Sequence, residues 1–506
     1  MVFSSNIFLF FFLPIFLTFY YLTPERKRSW VILIGSYIFY AWWRVDFLLL
    51  FIAVTLWNYY IGRGISSSVS GSRRARQWVT VGICANLSAL GYFKYANFGV
   101  ATVNAAMVEL GLDPWLLTVV ILPIGISFYI FQAISYIIDV YRGDTPATEN
   151  IIDFAAFIAL FPQLIAGPVL RYKDIADQFT QRSHTVDKFA QGVQRFMLGF
   201  IKKVIIADSL APLVNQGFAL QDPSFLDAWL AVLAYTAQLY FDFSGYADMA
   251  IGLGLMMGFR FTENFNHPYI SQSITEFWRR WHISLSSWLR DYLYIPLGGN
   301  RRGQIITYRN LFLTMLLGGL WHGANWTFLV WGAWHGCLLA MEKALGVDTS
   351  GEKFSPLRWL LCLLLVMLGW VVFRAESLGQ AFIIFSAMVN IEPLSITQSL
   401  QFSPVYGGQV NALQIATLLL AWLLIIVRGL YQRQLERIDY PQTEQRSQLP
   451  IRSLSRGSLS RGSLSTGYLS TGYLSTGYAF LLVPVFVLAI FKLSAESYSA
   501  FLYFQF

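Results

Sequence analysis

The sequence predicts an all-α, polytopic membrane protein of about eleven to thirteen transmembrane or buried helices, with further helices lying at the interface. Three observations predict it. Only 13% of the 506 residues are charged and 56% are hydrophobic, against about 25% charged in a soluble domain. Apolar runs of membrane length recur along nearly the whole chain. They lack strict alternation, which selects helices over a closed barrel as the way to satisfy backbone groups in lipid. Finally, the net charge of +8 gathers in a few basic loops. In a membrane protein this marks cytoplasmic loops and contact with anionic lipid, not nucleic acid.

The first run, Met1 to Leu22, has no basic start and no small-residue cleavage site before Thr23-Pro24-Glu25. It reads as a retained helix, not a signal peptide. Further helices are expected near 30–61, 78–98, 115–141, 152–167, 190–215, 227–258, 308–320, 326–346, 357–373, 377–390, 411–428 and 478–493. The 30–61 run exceeds one span of about 20 residues, and Trp43-Arg44-Val45-Asp46 interrupts it. The flanking loops 25–28 and 63–76 are both basic, which places both in the cytoplasm and requires an even number of crossings between them. The run is therefore a hairpin, and the N-terminus faces outward. Basic stretches at Arg171 to Lys203 and Arg279 to Arg302 are also expected at the cytoplasmic face. Phe277 to Tyr292 carries too many charges for the bilayer centre and reads as an interfacial helix. Cys84, Cys337 and Cys362 are far apart, with no disulfide or metal-ligand spacing, and read as small buried hydrophobes.

The chain divides into a membrane-embedded domain, 1–428, a polar linker, 429–478, and a last transmembrane helix within 479–506. Inside the linker a period-five repeat of the Ser-Leu-Ser-Arg-Gly type runs from Ser453 to Gly477. Five residues match neither helix nor strand, and a glycine in each unit disfavours both. The repeat reads as a Ser/Gly-rich tether, dispensable for chemistry.

Five histidines occur, and two sit in apolar, aromatic motifs: Glu276-Phe-Trp-Arg-Arg-Trp-His282 and Leu320-Trp321-His322-Gly323-Ala324-Asn325-Trp326. Histidine exchanges a proton near neutrality, and an ionisable group in membrane-grade sequence points to function. Gly323 and Asn325 can break the helix after His322 and leave the imidazole at a bend. There it would act as a general base toward an acceptor hydroxyl, or serve as a hydrogen-bonded packing residue. His282 has the same two readings. Its neighbours Arg279 and Arg280 either anchor the helix among headgroups or meet an anionic donor such as a coenzyme A phosphate. His335, thirteen residues past His322, falls on the opposite face of a straight helix and ranks below His282. His184 reads as a solvated surface residue and His267, before Pro268, as a turn. Asp242 and Asp248 lie in Tyr240-Phe-Asp242-Phe-Ser244-Gly245-Tyr-Ala247-Asp248, where Ser244, Gly245 and Ala247 permit close helix packing. The acids either pair inside the bundle or line an aqueous funnel. No P-loop, Rossmann fingerprint or Gly-x-Ser-x-Gly elbow is present.

Phe161-Pro-Gln-Leu-Ile-Ala-Gly167-Pro168, Tyr240 to Asp248, Phe277 to His282, Leu297-Gly-Gly-Asn300-Arg301 and Leu320 to Trp326 together resemble the membrane-bound O-acyltransferase family. Within it they resemble the alginate O-acetyltransferase branch, with the motif core over 160–336. The resemblance implies helices around a central tunnel, a catalytic histidine at His322 and a second at His282. Asn325, Trp321, Arg279, Arg280, Asp242 and Asn300 would support the site or bind substrate. It implies acetyl-CoA from the cytoplasm as the acyl donor, with no bound cofactor or metal. It further implies a polysaccharide acceptor reached directly or through a secreted or periplasmic acetyltransferase partner, at the bacterial inner membrane. The D-alanyl transferase of teichoic acid and a non-catalytic polysaccharide transport subunit are the competing readings.

Overall fold

The computed structural model describes residues 1–165, 167–347, 354–391, 410–447 and 476–495, and those residues are helical with no strand among them. The expected hairpin is present. Its arms are Arg28–Ala41 and Asp46–Ser66, and the break falls at Trp42 to Val45. Asp46 begins the second arm and is held by Arg44 at 2.5 Å, an acid in the first turn where the helix dipole favours it.

Among the described residues, three helices are long and apolar enough to cross a membrane, by length and composition: Asp46–Ser66, Pro356–Arg374 and Ala412–Glu436. Others carry charges that the bundle neutralises internally. Phe225–Met256, buried along most of its length, holds Asp242 against Lys203 at 2.7 Å. It also holds Asp248 against Arg195 and Lys202, each at 2.7 Å. This helix packs on Val186–Ile201 through glycines. A Cβ on Gly199 would lie 2.4 Å from the Gly245 carbonyl oxygen, and one on Gly192 2.6 Å from that of Gly252. Small residues let the two backbones touch, as expected where lipid offers no hydrophobic drive between helices. Large apolar side chains such as Phe10, Phe11, Leu49, Leu360 and Phe382 are exposed on the outer surface.

Four expectations change. The helix expected over 115–141 begins only at Ile126. Pro114 and Pro123 lack backbone donors, and Gly125 turns the chain at φ 75°. The segment before it is extended and lies along Arg73–Glu109. Asn97 and Asn104 each exchange two hydrogen bonds with its backbone, at Val120 and Trp115. The Phe277–Tyr292 segment is two short helices, Ile274–Arg280 and Ile283–Leu289, followed by a π turn. Phe277, Trp278, Trp281 and Trp288 are buried in protein, not laid on a membrane surface. The helix expected to end at 428 runs from Ala412 to Ser447, because Arg433 and Glu436 find partners on the bundle. Among the cysteines only Cys362 is buried; Cys84 and Cys337 are exposed on apolar helices. The period-five repeat lies almost wholly outside the described residues.

Candidate active site

The helix Gln304–His322 ends where the sequence expects, and Asn325 opens the next, Trp326–Ala344, by accepting from the Thr327 amide at 3.2 Å. The two form a hairpin held close by glycines. A Cβ on Gly319 would lie 2.3 Å from the Phe328 carbonyl oxygen, and one on Gly332 2.5 Å from that of Met315. This packing fixes the bend that carries His322. Its imidazole is buried at 6% exposure among the rings of Trp321, Trp331 and Phe373, with centroids 5.1, 5.1 and 5.2 Å away. It borders a cavity of about 320 Å³ also lined by Lys94, Ser127, Phe128 and Trp321.

His282 sits between its two short helices in the left-handed region, at φ 45° and ψ 53°. Such a conformation costs a non-glycine residue about 1–3 kcal/mol and persists only where the surroundings impose it. Two backbone hydrogen bonds impose it here: Asn266 N–H to the Arg280 carbonyl and Ile283 N–H to the Asn264 carbonyl, both 2.9 Å. The kink turns the fully buried imidazole inward, where Nδ1 lies 3.1 Å from Asn264 Oδ1. That oxygen also accepts from the Ser284 amide at 3.2 Å and the Ser284 hydroxyl at 2.8 Å. A backbone amide can only donate, so the atom is an acceptor and His282 Nδ1 must carry the proton. Nε2 of the neutral ring is then a bare lone pair, buried and without a hydrogen-bond partner among the described residues. Trp321 stands between the histidines, its ring centroid 6.3 Å from His282 and 5.1 Å from His322.

Asn264 links this site to a second cavity, of about 190 Å³, lined also by Arg195, Lys202, Arg428, Asp248, Glu263 and Ser244. Both Asn264 Nδ2 and Ser244 Oγ, each on a buried residue, lack partners among the described residues.

The predicted residues divide sharply. His322, Trp321 and His282 are brought together. Asn325 caps a helix and donates to the Glu376 carbonyl at 3.0 Å, so its amide serves the hairpin. Arg280 is tied to Glu276 at 3.0 Å and Glu436 at 2.8 Å. Arg279 and Asn300 are exposed. Asn325, Arg279, Arg280, Asn300 and Asp242 line neither of the two cavities. His335 is closer to His322 than a straight helix allows, because the chain breaks after Gly323; one ring, Trp331, contacts both. It remains a packing residue: Trp278 donates to its Nδ1 at 3.3 Å, and a Cβ on Gly369 would lie 3.0 Å from its Nε2. His267 is the expected turn, at φ 46°. His184, expected to be solvated, is clamped by Tyr20 Oη and Arg28 at 3.0 Å each.

Two residues were missed. Lys94 Nζ donates to the Trp321 carbonyl, to the His322 carbonyl at 3.2 Å and to Ser127 Oγ at 3.4 Å. A lysine inside the apolar 78–98 run is itself a signal. Asn264 carries none, since its role depends on the left-handed turn at His282.

The model that describes membrane-bound O-acyltransferases matches residues 145–379. Over 506 residues, covering all of both chains, the sequence is 59% identical to the probable alginate O-acetylase AlgI of Pseudomonas putida. It is 36% identical to the peptidoglycan O-acetyltransferase of Helicobacter pylori over 81% of this chain and 84% of that one. With the teichoic acid D-alanyltransferase of Bacillus subtilis it shares 29% identity over 48% of this chain and 65% of the relative. The chain belongs to the membrane-bound O-acyltransferase family and is a multi-pass membrane O-acyltransferase.

Proposed function

We propose that this acyltransferase moves an acetyl group from cytoplasmic acetyl-CoA outward across the bacterial inner membrane for the O-acetylation of an exported polysaccharide. The observation that carries the reading is the order of parts. A polar cavity lined by Arg195, Lys202 and Arg428 together with Asp248 and Glu263 meets Asn264, Asn264 holds His282, Trp321 separates His282 from His322, and His322 borders the other cavity. His322 is eighteen residues beyond Gln304, about 27 Å along its helix, and so lies far from the basic loop at Arg301 and Arg302. Arg428 lines the second cavity and suits a phosphate of a coenzyme A donor, while Arg195 and Lys202 there share their charge with Asp248 and Glu263. Arg428 takes the part first expected of Arg279 and Arg280.

His322 takes the proton of the acceptor hydroxyl as its oxygen attacks the thioester carbonyl. The C–O bond forms, the C–S bond breaks, and the proton leaves with the coenzyme A thiolate. His282, protonated at Nδ1, accepts at Nε2 and does not donate there. It therefore orients a donor group and does not polarise the carbonyl. The acceptor is a polysaccharide or a secreted or periplasmic acetyltransferase partner that passes the group on. Relatives that match this chain end to end are named as probable alginate O-acetylases, while the D-alanyltransferase of Bacillus subtilis aligns with 48% of it. This favours acetyl over D-alanyl transfer. His322→Ala should abolish acetyl transfer in membranes while the protein still inserts; normal transfer by that variant would refute the reading.

A further inference from the structure

The end of the helix that carries His322 is capped from outside itself. The last four carbonyls of a helix have no partner within it, and three of them here are consecutive: Leu320, Trp321 and His322. One turn of a distant helix, Arg73–Glu109, satisfies all three. Tyr95 Oη donates to the Leu320 carbonyl at 2.8 Å, and Lys94 Nζ donates to those of Trp321 and His322. The third donor of the ammonium reaches Ser127 Oγ at 3.4 Å, on the helix Ile126–Arg142. A lysine ammonium has three donors, and all three are committed. The same ammonium lies 5.8 Å from the Trp321 ring centroid. Chain continuity alone would leave the residue after His322 free to rewind or swing, because Gly323 follows in an extended conformation.

We infer that Lys94, assisted by Tyr95, is a positioning residue that sets the aim of His322 by clamping the broken helix end to two other helices. The inference rests on His322 being the base. Lys94 is about 30 Å along its helix from Arg73, deep within an apolar run. An ammonium held there by carbonyl oxygens complements the negative end of the His322 helix dipole. It reaches His322 through that residue's backbone carbonyl, so its loss should misplace the imidazole and fall chiefly on kcat.

The test compares the full-length protein with Lys94→Met, Tyr95→Phe and His322→Ala in membranes, reading kcat and KM for acetyl-CoA per folded molecule. Lys94→Met should lower kcat about 10²-fold, the scale of a 1 Å misplacement, with KM nearly unchanged. Tyr95→Phe should lower kcat less, also at constant KM. A Lys94→Met protein with wild-type kcat per folded molecule overturns the inference, as does a change confined to KM. If Lys94→Met fails to insert, Tyr95→Phe decides: wild-type kcat there overturns the inference. An active His322→Ala would instead refute the base assignment, while an inactive His322→Ala beside an undiminished Lys94→Met refutes the clamp alone.

Discussion

At the scale of single residues, the decisive geometry is the left-handed turn at His282. It points the ring at Asn264, and Asn264 fixes the tautomer because its oxygen already accepts a backbone amide. Asn264→Ala should therefore cost activity on the order of 10²-fold through loss of ring orientation. Transfer per folded molecule checks this, read beside a melting temperature that should also fall because the buried Ser284 and His282 donors lose their acceptor. His184 gives a pH prediction outside the spans. Burial first, and then Arg28 and Arg182, hold its pKa below the ordinary 6.5. A depressed histidine pKa stabilises the fold above the unfolded value, and that contribution is lost as pH falls through the folded value. The melting temperature in detergent should therefore drop from pH 7 toward pH 5, and His184→Gln should flatten that acid limb. The Leu320–Trp326 motif was legible because glycine and asparagine announce a helix break. Asn264 was not, because its partner depends on a turn that only tertiary contacts impose. Of the two acids that pair with Arg280, Glu276 is four residues away and legible, whereas Glu436 is 156 positions away and beyond the reach of any local pattern.

At the scale of elements, glycine contacts set how closely helices approach, and the site depends on that closeness. Gly332→Val would push the valine side chain against the Met315 carbonyl and the Leu316 backbone, neither of which can rotate away. Overpacking of this kind costs about 1–3 kcal/mol. It should lower the melting temperature and disturb the His322 bend, and a melting curve indistinguishable from wild type would contradict the packing account. Helix positions were readable from apolar run length, including the hairpin broken near Trp43. The start at Ile126 was harder to read. Its upstream apolar residues are in a segment that Asn97 and Asn104 hold extended, so hydropathy alone assigned them to the helix. His335 shows the same limit: a straight-helix projection sends it away from His322, and the break brings it back.

At the scale of the whole molecule, one cavity borders His322 and another reaches Asn264, the partner of His282, with Trp321 between the two rings. Arg195, Lys202 and Arg428 line one cavity together with Asp248 and Glu263, while the other lies at the far end of helices that start in basic loops. This arrangement predicts sidedness: a donor that cannot cross the membrane should serve the enzyme from its cytoplasmic face only. The most direct measurement is acetyl transfer from radiolabelled acetyl-CoA in sealed membrane vesicles of both orientations, wild type beside His322→Ala. Label should pass to acceptor in wild-type inside-out vesicles and in neither preparation of the variant. Equal transfer by His322→Ala, or wild-type transfer from acetyl-CoA offered only at the outer face, would contradict the account.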